Sequence, residues 1–426
     1  MSIFLGVDFG TSGVRLVAID EANEIIGYSN NAIPPPIRQN KSVTQNPNIW
    51  WHSFKNALKI LKTQIDFSRI YSISIDGTSG TILATSKNGI PKSSAHMYND
   101  AVGVKQGKLL KKLSNENPVV SSSSNALARA LFIKEMGDLG TNYIFLHQAD
   151  WIAGKLLNKF KYSDENNALK LGYDCINRKW PDWFSKLPIN TNSLPIIKVP
   201  GDELGKISPT ISQDLGINNK CKIIAGTTDS IAAFLSTGAH KIGEAVSSIG
   251  STLVVKVIGN NPIYNNKYGI YSHRIGNLWL TGGASNVGGA IIKKLFSNRI
   301  DELSIKINPN QSTGLNYYPL IHPGERFPIN DPNLQPILEP RPKDEVVFFQ
   351  GVLEGITRVE KKCYERISQF GGGYPYKIFS VGGGANNEKW NILRANIIKA
   401  EIINPITNEA AFGAALLAKG INFDTT

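Results

Sequence analysis

The sequence has little sulfur. Its 426 residues include three cysteines and three methionines. Cys175, Cys221 and Cys363 lie far apart, form no metal-type pair, and are too few for a disulfide framework. That pattern fits a reducing compartment. Long apolar runs are missing too: none approaches the roughly 20 residues of a membrane span. The first residues, Met1-Ser2-Ile3-Phe4-Leu5-Gly6-Val7-Asp8, carry neither a basic leader nor an apolar stretch of signal-peptide length. The expectation is a soluble cytoplasmic protein with no membrane partner. Charged residues make up 19%, and the balance is basic, with a formal net charge of +12. Yet no long basic run occurs. The densest stretches, Lys105–Lys112 and Lys361–Lys362, are spaced as on a solvated helix face. No nucleic-acid recognition motif accompanies the charge, so no such partner is expected. Two further absences bear on nucleotide chemistry. There is no Gly-x-x-x-x-Gly-Lys-Ser/Thr segment, which excludes a P-loop. There is no Gly-x-Gly-x-x-Gly either, which argues against a dinucleotide enzyme.

What is present is a repeated alternation of apolar strands, Gly-rich turns and amphipathic helices. Ile3–Asp8 reads as a strand ending in Asp-Phe-Gly-Thr-Ser-Gly, and Val14–Asp20 and Ile25–Ser29 follow as strands. Pro47 opens a helix whose buried face carries Trp50, Phe54, Leu58 and Leu61. Ile70–Ile75 is a buried-type strand leading into Asp76-Gly77-Thr78-Ser79-Gly80, and a helix-rich stretch runs from about Val102 to Leu157. Lys222–Ala225 meets Gly226-Thr227-Thr228-Asp229-Ser230 and a helix of small residues. The pattern then restarts. Ala245–Ile249, the turn Gly250-Ser251-Thr252 and Leu253–Val257 echo the opening hairpin, which suggests two related domains. Further on come a long helix from about Glu345 to Phe370, a strand Ile378–Val381 entering Gly382-Gly383-Gly384, a strand Glu401–Ile403 and a helix Glu409–Ala418. Strands alternating with helices predict an α/β fold. The boundary falls near residues 236–244, giving domains 1–240 and 241–426.

Three Gly/Thr/Ser turns follow apolar strands: Gly10-Thr11-Ser12-Gly13, Gly250-Ser251-Thr252 and Gly382-Gly383-Gly384. Backbone N–H groups at such turns form anion-binding concavities, and small residues let a phosphate approach closely. Two acidic residues stand beside them. Asp8 ends a strand, and Asp229 lies between a strand and a helix. Phosphoryl transfer needs a carboxylate for magnesium and a group to orient the attacking hydroxyl. Asp229 could instead be a plain helix N-cap.

Asp8-Phe9-Gly10-Thr11-Ser12-Gly13-Val14-Arg15 resembles the opening phosphate motif of the FGGY carbohydrate kinases, Asp-x-Gly-Thr-x-x-x-Arg. Gly226–Ser230 is similar to that family's segment carrying the catalytic Asp. Gly250-Ser251-Thr252 resembles its second phosphate turn, and Gly382-Gly383-Gly384-Ala385 with Asn387 and Trp390 its adenosine segment. Glu409–Ala415 resembles its small-residue closing helix. The likeness covers nearly the whole chain. It implies two actin-like (ribonuclease H-like) domains with a nucleotide and sugar cleft between them, and the transfer of phosphate from ATP to a free sugar. Within the family the xylulokinase and D-ribulose kinase-like branch of photosynthetic lineages is the nearest in pattern. That likeness rests on Asp76–Thr81, Asn88-Gly89, Met97–Ala101 and His147-Gln148-Ala149-Asp150-Trp151. The family's usual Met-His pair is replaced by Ser79-Gly80-Thr81, and the Arg that usually follows the position of Asp100 is absent.

The resemblance implies these roles. Asp229 would be the catalytic base. Asp8, Ser12, Ser79, Gly80 and Asp100 would bind the sugar, although Asp100 could equally cap a loop. Gly10, Thr11, Gly250, Ser251 and Thr252 would hold phosphates. Gly383, Gly384, Asn387 and Trp390 would wall the adenosine, although the spacing of Trp390 also fits helix core. Asp8 and Asp229 would serve Mg2+. A small sugar is the expected partner, a ketopentose with D-ribulose ahead of D-xylulose, and the protein is expected as a monomer or homodimer. An actin-like ATPase without a sugar, or a nonenzymatic sugar or nucleotide sensor, would share the phosphate turns.

Overall fold

A computed structural model describes residues 2–114, 117, 119, 120, 122 and 124–421. The chain divides into two units, residues 2–236 with 407–421, and residues 237–406.

In the first unit a six-stranded sheet runs in the order Glu203–Lys206, Lys222–Thr228, Ile70–Gly77, Ile3–Phe9, Gly13–Ile19, Ile25–Ala32. Ile3–Phe9 pairs antiparallel with Gly13–Ile19 and parallel with Ile70–Gly77, which pairs parallel with Lys222–Thr228. The parallel strands are nearly continuous apolar runs because helices cover both faces. One cover is the Pro47–Leu61 helix, capped by Asn46, which buries Trp50, Phe54, Leu58 and Leu61. A five-stranded antiparallel sheet, including Ile82–Thr85 and Ile144–His147, belongs to the same unit. The stretch read as helical from Val102 to Leu157 therefore holds a strand. Its helices are Val104–Leu113, Ala126–Met136 and Gln148–Leu157. Lys105, Lys108, Lys111 and Lys112 are exposed on the first of these, as a solvated face requires.

The second unit repeats the plan. Glu244–Ile249 pairs antiparallel with Leu253–Gly259, which pairs with Leu278–Ser285, and parallel with Lys377–Val381, which pairs parallel with Glu401–Ile403. Both sheets thus hold three antiparallel strands, the first of which continues into two parallel strands, although in the second sheet Tyr264–Asn265 and Ile270–Ile275 come in sequence before the third. The echo between the hairpins is an echo of whole topologies. Beneath the second sheet, the Glu345–Gln369 helix buries a bidentate ion pair: Arg394 donates to Glu360 at 2.7 and 2.9 Å, both side chains fully buried. Arg394 Nη1 also donates to Ser380 and Asn391. A buried pair needs such further partnering to offset its desolvation.

The last helix departs from the expected division. Ala410–Lys419 lies in the first unit, not with residues 241–406. Ser72 Oγ donates to the Ala418 carbonyl at 2.6 Å. Its small residues are a packing requirement, because a Cβ on Gly413 would come within 1.9 Å of the Ala232 carbonyl oxygen. The three cysteines are free and buried. Among the described residues, no helix is long and apolar enough to cross a membrane.

Candidate active site

The parallel strands of the first unit end in acid. Asp8 and Asp76 are direct partners on neighbouring strands, and Thr227, two residues before Asp229, partners Asp76 on the next. In open α/β sheets, ligands collect outside such carboxyl ends. Asp8 is 4% exposed and accepts from Arg15 Nη1 at 3.0 Å. Asp76 is fully buried, and neither of its carboxyl oxygens receives a donor from the protein. Burial, and then the charge of Asp8, hold its carboxyl well above the usual range, with Asp229 adding to the effect and Arg15 opposing it. Two ionised carboxylates cannot hydrogen-bond each other, so a proton on Asp76 turns this contact into a bond. Sequence reasoning passed over Asp76 as a site residue. The signal was there: Asp76-Gly77-Thr78-Ser79-Gly80 follows its strand much as Asp8-Phe9-Gly10-Thr11-Ser12-Gly13 follows the first.

Asp229 opens the Asp229–Ser236 helix, and its Oδ1 accepts the backbone N–H of Ser230 at 2.7 Å and of Ser79 at 3.3 Å. The second bond comes from a residue 150 positions away, so Asp229 is more than a local helix cap. It joins the helix to the Gly77–Gly80 segment. Ser79 is partly exposed there, and Ser12 is exposed in the opening turn. Gly80 is buried, and its carbonyl accepts from Arg129 Nη2 at 2.5 Å.

Asp100 has no oxygen to spare for a sugar. It is fully buried, and Oδ2 accepts from Val43 N, His96 Nδ1 and Ser42 Oγ while Oδ1 accepts from Val102 N. Burial pushes its carboxyl up, but the bonds from His96, Val102 and Val43 outweigh this and hold it below its ordinary value. The loop-cap alternative describes its geometry. Arg129, fully buried in the Ala126–Met136 helix, donates to the carbonyls of Gly80, Tyr98, Asp100 and Ser124, and burial lowers its guanidinium to about 10. It ties the Ser79–Gly80 turn to the Asp100 loop. Nothing in its helical spacing announced that role.

The strand leading to Asp229 is braced from behind. Asn166 Nδ2 donates to Thr227 Oγ1 at 3.0 Å, and Asp164 caps the Glu165–Lys170 helix by accepting from the backbones of Asn166 and Asn167. Burial, then the charge of Asp150, raises Asp164 to about 7. Its folded value lies above its unfolded one. The stabilisation is therefore complete below about pH 4 and is lost as pH rises through 7. Asp164→Asn keeps an oxygen for the two backbone amides, gives up the bond from Asn167 Nδ2 at every pH, and removes the titration. Thermal melts at pH 5.5 and pH 8 should show a smaller loss of stability for the variant than for the parent, by roughly 1 kcal/mol or more. Equal losses in the two proteins would contradict this.

In the second unit, a cavity of about 610 Å³ opens beside two of the Gly-rich turns. Gly250, Ser251, Gly383, Gly384, Asn387 and Trp390 line it, as do Ile292, Lys293, Lys294, Phe349 and Leu353. That size and this mostly apolar wall with a few polar groups are what a nucleoside-sized ligand needs. Trp390 is both wall and core. It is 1% exposed, and its Nε1 donates to Thr357 Oγ1 at 2.9 Å. Asn387 caps the Glu388–Ile398 helix through Trp390 N and donates to Ser304 Oγ, so its amide is used within the protein. Thr252 belongs to the same turn but does not line the cavity. Gly10 and Thr11 lie in the other unit. The amides of Gly10 and Gly250 donate inside their own turns, to Gly13 O and Thr252 O. These two amides are thus occupied within their own turns. The two lysines and the Ile292, Phe349 and Leu353 wall were not foreseen: the Gly289–Phe296 helix was not read from the sequence, and the stretch from Glu345 was read only as a long helix.

Among the described residues, no group of three or more His, Cys, Asp or Glu is arranged to hold a metal unaided. Mg2+ does not need one, since it keeps waters and is held by one or two carboxylates together with phosphate oxygens. Asp8, with one oxygen steadied by Arg15, and Asp229 are chemically suited to that.

Comparison with known proteins agrees with this geometry. Residues 3–236 match the N-terminal domain, and residues 245–419 the C-terminal domain, of the FGGY family of carbohydrate kinases. The chain belongs to the FGGY family of carbohydrate kinases and is an ATP-dependent sugar kinase. A xylulose kinase of Staphylococcus epidermidis is 23% identical over 98% of this chain and 87% of its own. A gluconokinase of Bacillus subtilis is 21% identical over the same shares. The crystal structure of a Brucella ovis kinase, titled a xyloylose kinase, superposes with a TM-score of 0.85 at 18% identity, covering 98% of this chain and 90% of its own.

Proposed function

We propose that the acceptor is a free ketopentose, D-ribulose first and D-xylulose second. The observation that carries the reading is Asp229 at a strand end, bonded to the Ser79 amide beside Asp8 and Asp76. A pentulose is favoured by the relatives named as xylulose kinases. D-ribulose is put first for the resemblance of Asp76–Thr81, Met97–Ala101 and His147–Trp151 to D-ribulose kinases.

In this reading Asp229 orients the attacking hydroxyl and takes its proton late in a loose transition state, so an ordinary carboxylate suffices. Ser79, Gly80, Ser12 and Asp8 face the sugar, and Asp100 shapes their loop without touching it. Gly250, Ser251 and Thr252 receive phosphate, with Thr11 and Gly10 as a further phosphate turn. Gly383, Gly384, Asn387 and Trp390 bound the adenosine. Bound Mg2+, held by Asp8 and Asp229, would neutralise charge on the transferring group.

The test is ADP release with D-ribulose, D-xylulose, L-ribulose, D-gluconate, glycerol and no sugar. D-ribulose should stimulate most. ADP release that ignores every sugar would instead indicate an actin-like ATPase, and binding without turnover a sensor.

A further inference from the structure

We propose that Gln148 is a positioning residue for the acceptor side of this kinase, clamping Thr78 so that the following amide, that of Ser79, stays on Asp229. Gln148 is fully buried, and its Oε1 accepts twice from one residue: from Thr78 N at 3.0 Å and from Thr78 Oγ1 at 2.8 Å. The next amide along, Ser79 N–H, is the one that donates to Asp229 Oδ1. A single residue, Thr78, thus links the glutamine to the amide that reaches the catalytic carboxylate.

The orientation of the side-chain amide follows from chemistry. A backbone N–H can only donate, so the atom it meets is the oxygen. The other end, Nε2, is buried and has no partner. Leaving a buried donor unpaired is unfavourable, so a residue chosen for stability alone would be apolar here. The oxygen end explains its presence. Thr81 Oγ1 lies 2.6 Å from Thr78 Oγ1 and can donate to it, leaving the Thr78 proton for Gln148.

The clamp stands on a rigid base. Gln148 is the first residue of the Gln148–Leu157 helix, whose start is locked by a reciprocal cap between His147 and Asp150. There is no slack between helix and loop. A Cβ built on Gly77 would sit 3.2 Å from both Ala149 N and Gln148 Oε1. Groups that orient a reacting atom work best when held this way by packed elements and a second layer of hydrogen bonds.

This inference rests on the kinase reading above, so its test has one arm that needs no substrate. Gln148→Met keeps length and volume but removes the accepting oxygen. Gln148→Glu keeps an oxygen for both Thr78 donors. Hydrogen exchange at the Thr78 and Ser79 amides should quicken at least tenfold in Gln148→Met. Sugar-dependent kcat should fall at least tenfold, with the Kd for ATP within twofold of the parent and sugar-independent ATP hydrolysis little changed. Gln148→Glu should recover most of both losses. Unchanged exchange in Gln148→Met overturns the clamp, whatever the sugar. Faster exchange at parental kcat overturns its catalytic relevance. A parent that no sugar stimulates counts against the proposed function alone, and the exchange arm still decides the clamp.

Discussion

Asp229→Ala should phosphorylate its sugar at least a hundredfold more slowly than the parent while binding ATP with nearly the same affinity. The first half follows from the range expected when a positioned proton acceptor is removed, about a hundredfold to ten-thousandfold. The second half follows from the division of the molecule. Asp229 belongs to the first unit, whereas the 610 Å³ cavity is built wholly from residues 249–390 of the second. Folding should also survive. Asp229 stands at the start of its helix rather than in the core, and loss of its two amide contacts should cost about 1–2 kcal/mol. Single-turnover phosphoryl transfer with saturating ATP, paired with calorimetric titration of the nucleotide, measures both. Near-parental turnover would remove Asp229 from the mechanism. A parallel collapse of ATP binding would show that it acts on the nucleotide instead.

The second large effect is expected at the opposite end of the chemistry. A Cβ on Gly383 meets nothing within 4 Å, and Gly383 lines the cavity. Gly383→Leu therefore places a side chain in open space that a nucleotide would occupy. Its backbone is not in the left-handed region that would penalise the change. ATP affinity should drop at least thirtyfold, with a melting temperature within a few degrees of the parent in the absence of nucleotide. By contrast, Gly384→Leu would drive a Cβ to 2.6 Å from Ile249 and 2.8 Å from Trp390, so it should destabilise the unit as well. The contrast between neighbouring glycines separates a blocked pocket from a damaged core. Unaltered ATP affinity in Gly383→Leu would mean that this cavity is not where the nucleotide sits.

Much of this was legible in the residues. The strand ends carrying Asp8, Gly250 and Gly382 fall within a residue or two of where periodicity put them, because apolar runs broken by Gly, Thr and Ser leave few alternatives. Asp229 was singled out by its place between a strand and a helix. What could not be read was partnership. Whether an aspartate at a strand end faces solvent or a second carboxylate depends on which strand lies beside it, and at Asp76 the register sets Asp8 beside a carboxyl that burial already pushes up. Asp100 had the right composition around it for a sugar ligand, yet four donors occupy it, Ser42 and Val43 from a distant strand and His96 and Val102 from its own stretch of chain. Strand Ile144–His147 was taken into a helical stretch because a four-residue apolar run between helices has no period of its own. The closing helix was read as a helix of small residues, but small residues alone do not say against what they pack.

That closing helix has a consequence for biosynthesis. Most of the first unit, up to residue 236, is made before residues 237–406, and its Ala410–Lys419 helix only after them. As the chain leaves the ribosome, the six-stranded sheet must wait with one face uncovered, around Gly6 and Ser72, until the whole of the other unit has emerged. The later-born unit is free to fold before the earlier one closes, reversing the usual order in which domains mature from the amino end.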